Sequence, residues 1–371
     1  MKTIPNLPAG ALAGALALLC CTAAAQSNNV VIYGRLNLAL ENMRTSVGPD
    51  GRAVSVNRES NDRSVLGFRG TEDLGDGMKA LFQIEGTLSP DTGAGGIAQR
   101  DTRVGLETPY GTLFGGNWVT PYNEATSGLD PFYPTTAGYM SIMANGSAPT
   151  TDNVINPYSF DRRQQNSVHY WTPEWRGLRL RVAQGLNEER PASGARPALT
   201  SAALAYESGP LYLTAAYERH HDYQGPGLND TGSKLGAAYK FGATRLALVA
   251  ERLRYETGSG TLTRNAWYMS VSHQMGRHGL RAGFAKAGDG KGTAGPGNTS
   301  RVGFIVAGPD TGATHATLGY DYTLSKRTSV FVYCTRLHND SRAVYDFAIN
   351  SLDAGAGATL RGTALGLRHN F

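Results

Sequence analysis

The chain closes on Thr363-Ala364-Leu365-Gly366-Leu367-Arg368-His369-Asn370-Phe371, and the reading of this stretch decides the fold. Counting back from Phe371, every second residue (His369, Leu367, Leu365, Thr363) is apolar or compatible with a membrane. The residues between them, Asn370, Arg368, Gly366 and Ala364, are small or polar. A period of two describes a strand with one face in an apolar medium and the other in water. An aromatic residue followed directly by the carboxylate leaves no tail to cover such a strand. It makes sense as the closing stave of a transmembrane barrel, with the phenyl ring at the membrane edge. An edge strand of a soluble sheet is the competing interpretation, and the rest of the chain must decide.

At the other end, Lys2 is the only charge before Arg35. An apolar stretch from Ala11 to Cys21 leads into Thr22-Ala23-Ala24-Ala25-Gln26. This pattern predicts a signal peptide over residues 1–25, cut after Ala25, and a single mature unit over residues 26–371. The apolar core is too short to span a membrane as a helix. Lipid attachment at Cys20 or Cys21 is disfavoured, because Leu19 stands where a small residue is wanted. Cleavage leaves Cys334 alone, so no intramolecular disulfide can form. A closed hydrogen-bonded barrel would supply the missing stability. Loss of Lys2 lowers the formal charge from +5 to +4.

No continuous apolar run of helix-spanning length follows, which excludes a helical membrane protein. The mean hydropathy of -0.31 looks soluble, but barrels hide their lipid face in alternation. Glycine makes up 47 of 371 residues, well above the usual ~7%. With 18 Tyr and 7 Met, the composition suits strands, tight turns and interfacial rings. A glycine-rich β-helix would need a strict short repeat, and none is present. The basic residues are spread one or two per strand rather than clustered, which fits a charged inner wall better than a nucleic-acid interface.

From Val30 onward, strands alternate with long connections and short turns. Val30, Ile32, Gly34, Leu36, Leu38 and Leu40 share one side of the first strand, and Tyr33, Arg35, Asn37 and Glu41 the other. A polar connection is expected up to about Asp62. Leu74-Gly75-Asp76-Gly77 is a turn built from residues that accept positive φ. The whole pass gives about sixteen strands, with long connections at one end and short turns at the other. The fold class is therefore all-β, a transmembrane antiparallel barrel. Sixteen staves enclose more space than side chains fill. The longest early connection, Val119 to Arg162, is predicted to fold into the lumen as the third loop and to narrow it.

Several segments resemble the general porins of Gram-negative bacteria, particularly the trimeric porins of β-proteobacteria. They are Val31-Ile32-Tyr33-Gly34-Arg35-Leu36, Leu66 to Ala80, Asn166-Ser167-Val168-His169-Tyr170-Trp171 and the terminal Gly366 to Phe371. Leu66 to Ala80 is the most specific of these. The resemblance implies a sixteen-stranded barrel, a homotrimer and an inward-folded third loop at the constriction. Val65, where relatives often carry a basic residue, Asn117 and the absence of an acidic third-loop signature leave selectivity less transferable.

Such a chain does no covalent chemistry; its function lies in the width and field of a water-filled path. Alternation turns Arg35, Arg69, Arg163, Arg179 and Arg181 inward. The planar, permanently charged guanidinium suits carboxylate and phosphate groups. Arg100 matches a lumen position of the resembled family, whereas Arg103 falls in the other phase together with Asp101 and Glu107. Either the phase is misread there, or that strand packs against another subunit. Strands near Arg252 and Arg336 are ambiguous too. Glu124, Asp130 and Asp152 of the long loop are placed opposite the arginines, giving a transverse field.

His220-His221-Asp222 reads as an exposed loop and not as a metal site, and Cys334 as a packed thiol. No metal and no cofactor is expected. The expected function is an outer-membrane channel for passive diffusion of small hydrophilic solutes and ions, leaning towards anions. Its expected partners are two further copies of the chain, outer-membrane lipid and lipopolysaccharide, with no nucleic acid. The alternative, a barrel protease or phospholipase, would need a Ser/His or Asp/His constellation at the rim, and no convincing one is present.

Overall fold

The computed structural model describes residues 30–147, 157–188, 191–293 and 301–371. The predicted signal peptide and Asp152 lie outside the described residues. Sixteen staves follow in chain order. They are β1 (Val31–Thr45), β2 (Val54–Asn61, continued by Ser64–Gly75), β3 (Met78–Ser89), β4 (Ala94–Gly96, continued by Thr102–Thr108), β5 (Gly111–Val119) and β6 (Arg163–Trp171). Then come β7 (Leu178–Gly185), β8 (Ala198–Ser208), β9 (Leu211–His221), β10 (Asn229–Phe241) and β11 (Thr244–Thr257). The last are β12 (Gly260–Met275), β13 (His278–Ala287), β14 (Ala313–Thr323), β15 (Thr328–Asn339) and β16 (Thr359–Asn370). Each pairs antiparallel with the next.

The C-terminal stave closes the cylinder. β16 pairs with β1 from Arg35↔Asn370 to Thr45↔Leu360. Beyond it, the Phe371 amide donates to the Gly34 carbonyl and the Gly34 amide to Phe371, both at 3.0 Å. A Cβ at Gly34 would collide with the Phe371 ring, so the seam closes only over glycine. Among the described residues the barrel sheet keeps no open edge, which removes the unpaired backbone groups that lipid would not tolerate. The period-two pattern sets the faces. Leu36, Leu40, Val332, Leu365 and Leu367 are exposed on the outer wall, while Asn37, Glu41 and Tyr333 are buried inside. The predicted turn at Gly75, Asp76 and Gly77 has φ of +84°, +51° and +75°.

One stretch expected as a connection is strand. Val54–Asn61 pairs with the upper end of β1, and β11 and β12 run on to a hairpin at Thr257↔Gly260. These staves stand above the apolar band, so their outward face is polar (Ser55, Asn57 and Glu59 in the first) and composition there imitates a loop.

The third loop (residues 120–162) crosses the interior in its described part. Leu129, Phe132, Tyr139, Met140 and Ile142 are buried in one cluster with Val249, Tyr268 and Phe331 from the inner wall. Burial of each large apolar side chain contributes about 1.5–3 kcal/mol. The eighth loop (residues 340–358) lies against it, with the Ala348 amide donating to Ser141 Oγ at 3.2 Å and Asn350 Nδ2 to Thr136 Oγ1 at 2.9 Å.

Candidate functional site

The third loop begins with a short helix, α1 (Pro121–Ser127). Thr120 caps it by accepting from the Asn123 amide at 3.3 Å, and Pro121 suits the first helical turn. The loop then traverses the bore, and its path is fixed by inner-wall side chains reaching its backbone. Tyr212 on β9 donates to the Ala125 carbonyl at 2.8 Å, and Ser270 on β12 to Leu129 at 2.7 Å. Arg264, also on β12, donates to Ile142 at 2.8 Å, and Thr317 on β14 to Ala137 at 3.2 Å.

One buried carboxylate anchors the middle of this span. Glu251 on β11 accepts from the Ala144 amide at 2.9 Å and from Tyr122 Oη at 3.0 Å. Arg264 pairs with it at 2.9 Å, and Lys234 on β10 stands 3.6 Å away. All three side chains are almost fully buried. Buried charges persist only when paired and hydrogen-bonded, and here the loop backbone completes the set.

The opposite wall, β1 to β7 with the end of β16, is rich in arginine. Arg100 pairs with Glu85 at 2.8 Å, and Tyr33 Oη donates to the same carboxylate at 3.1 Å. Arg163 pairs with Asp101 at 2.7 Å. Arg63, at the break inside β2, donates to Tyr133 Oη at 2.8 Å and reaches Asp161 at 3.3 Å. Four further guanidiniums make no ion pair among the described residues: Arg35, Arg69, Arg103 and Arg368. Arg35 donates to the Arg63 carbonyl at 2.8 Å. Arg69 lies over the Tyr33 ring at 5.1 Å. Arg368 lies 5.8 Å from the Phe331 ring centre. Arg103 is held by Trp118, Phe114 and Trp171, with ring centres 4.3, 4.7 and 4.9 Å away.

The predicted site residues fall into three groups. Arg35, Arg69, Arg100, Arg163, Arg179 and Arg181 lie on the arginine side. Arg179 pairs with Glu207 at 2.5 Å near the short-turn end. Glu124 on α1 forms an ion pair with Arg181, and these two line one hollow with Arg179 and Tyr212. Asp130 differs from its expected place. It is buried, accepts from the Tyr139 and Phe132 amides at 2.8 and 2.9 Å, and from Tyr268 Oη at 2.6 Å. Burial pushes its carboxyl above the usual range. It fastens the loop instead of presenting charge to the bore. Among the described residues, the expected acidic face of the loop thus reduces to Glu124.

The two options for β4 are resolved by geometry. Val104 and Leu106 face outward and Arg103 faces inward. The phase misleads because β4 is interrupted between Gly96 and Thr102 and β5 carries an irregularity between Gly116 and Trp118. His220 is not in an exposed loop: it is the next-to-last residue of β9, fully buried, its Nε2 2.8 Å from Glu218 and its ring stacked on Phe160. Cys334 is exposed on the outer wall. Glu251, Arg264 and Arg63 were missed as a group. Parity alone turns Glu251 inward, but nothing local in the sequence says what covers it.

Known proteins place this geometry in a family. A model described as Gram-negative porin matches residues 11–342. Outer membrane porin protein 32 of Delftia acidovorans is 26% identical, over 96% of this chain and 98% of its own. An outer membrane porin protein of Bordetella pertussis is 26% identical over 83% of this chain and 82% of its own. Among solved structures, an anion-selective porin from Comamonas acidovorans superposes with a TM-score of 0.75 at 23% identity, covering 93% of this chain and all of that one. The trimer form of OmpT from Vibrio cholerae gives a TM-score of 0.64 at 15% identity, over 93% and 99% of the two chains.

Proposed function

The chain belongs to the Gram-negative porin family, and from that premise we propose that its channel favours anions, with the constriction set between the third loop and the arginine wall of β1 to β7. It is an outer-membrane channel of the porin type and not an enzyme. One observation carries the anion preference. Arg35, Arg69, Arg103 and Arg368 line the bore with no carboxylate paired to them among the described residues. Glu124, the only part-exposed carboxylate of the loop among the described residues, is engaged with Arg181. The field across the gap is therefore positive on balance, and anions concentrate in such a cleft. Arg35, Arg69, Arg103 and Arg368, together with Arg100, Arg163, Arg179, Arg181 and Glu124, are the proposed pore-lining set.

The solutes are small hydrophilic molecules and ions passing by diffusion. The functional unit is a homotrimer in contact with outer-membrane lipid and lipopolysaccharide. The shape of the wall supports the trimer. β5 to β7 have nine, nine and eight residues, against fourteen and sixteen in β11 and β12, and a low wall suits shelter by neighbouring barrels. Residues 1–25 act as a cleaved export signal, leaving residues 26–371 as the barrel. Planar-bilayer recording tests the channel. Purified protein should give stepwise conductance increments, and their absence at protein levels that insert would contradict the reading. Cross-linking in detergent should yield a three-chain species.

A further inference from the structure

We propose that Arg44, Arg336 and Arg361, on the outer wall at the long-loop end, bind the phosphate groups of an anionic lipid in the adjoining leaflet. The inference rests on the membrane setting proposed above and places a specific lipid contact on it.

The register puts the three arginines in one row. Arg44 on β1 is opposite Arg361 on β16, and Arg361 is opposite Arg336 on β15. Their side chains share the phase of Leu40, Leu365 and Val332, and all three are exposed. Adjacent strands lie about 4.8 Å apart, and like charges directly opposite one another are destabilising. None of the three makes an ion pair or side-chain hydrogen bond among the described residues. An external anion would relieve the repulsion within such a row.

Depth selects the anion. Arg361 on β16 and Phe371, just past its end, share the outward phase ten residues apart. At about 3.4 Å per residue and a tilt near 40°, that separation is roughly 25 Å along the barrel axis, the height of the lipid-facing band. With Phe371 at one interface, the arginines stand at the headgroup level of the other. Cations there cost far less than at mid-depth. Beside the row runs a groove of about 470 Å³ lined by Ala316, Leu318, Cys334 and Thr363. Lipid phosphate matches the guanidinium fork, and the groove gives an acyl chain a place alongside. A free anion would not use the groove.

Cys334 provides the readout, since it lies in the groove and is exposed. The full-length barrel in detergent is incubated with a diphosphorylated acyl-glucosamine disaccharide, its dephosphorylated form, phosphatidylcholine or inorganic phosphate. Maleimide labelling of Cys334 is then timed. The diphosphorylated lipid should slow labelling about tenfold relative to the others, a difference of about 1.4 kcal/mol. The R44Q/R336Q/R361Q variant should lose the protection. R219Q, altering an outer-wall arginine that bonds Asn229, should keep it. Equal protection in the triple variant, or protection by phosphatidylcholine or by inorganic phosphate alone, would overturn the site. Labelling blocked without added lipid but restored on dissociation into single barrels would assign the face to a neighbouring copy, and would also overturn it. Unchanged bilayer conductance of the triple variant separates failure here from failure of the channel.

Discussion

The two halves of the inner wall use the same residue types for opposite ends. On β8 to β14 the charges are buried and satisfied. Glu251 holds Arg264, Lys234 and the Ala144 amide, and Tyr268 holds Asp130. On β1 to β7 and the end of β16, Arg35, Arg69, Arg103 and Arg368 stand partly open to the bore without ion pairs among the described residues. The difference is what faces them. The third loop leans on the first half and leaves its charges no solvent; the second half faces the gap that remains. A charged residue on the inner wall is a fastener or a pore group according to which side of the loop it lies on.

The largest expected effect comes from breaking the fastened half. Glu251→Ala leaves Arg264 and Lys234 buried without their partner, and removal of one member of such a set costs about 3–5 kcal/mol. Backbone ladders should keep the barrel intact while the loop loosens. Single-channel records should turn noisy and higher in conductance, and proteolysis should cut within residues 120–162. Tyr268→Phe removes one bond to Asp130 and should cost about 0.5–1.5 kcal/mol in chemical unfolding of the refolded barrel. Glu124→Gln breaks a half-exposed pair with Arg181. It should cost only about 0.2–1 kcal/mol and should raise anion preference by freeing a guanidinium. The combined change Arg35→Gln and Arg368→Gln should cost far less stability than Glu251→Ala, yet lower anion preference. A stability loss from that pair as large as from Glu251→Ala would erase the distinction between the halves.

The fold was legible because alternation in β1 and β16 survives without interruption from Ile32 to Leu40 and from Thr363 to His369. The inward phases of Arg35, Arg69 and Arg181 follow from the same regularity. Legibility failed where the regularity does. Arg103 follows a break in β4 and pairs with the irregular part of β5, so parity counted through either gives the wrong face. Val54–Asn61 reads as a connection because a strand beyond the apolar band turns a polar face outward. Asp130 reads as a bore group because a loop carboxylate carries no sign of burial; its partner Tyr268 lies far along the chain. Periodicity reports which face a side chain takes. It does not report what folds over that face.

The most direct test is the reversal potential of the open channel in a potassium chloride gradient. The account predicts a potential of the sign given by chloride permeating faster than potassium, moving towards zero when Arg35 and Arg368 are neutralised. A potential of the opposite sign in the unaltered protein, or one indifferent to those substitutions, would contradict an arginine-lined bore.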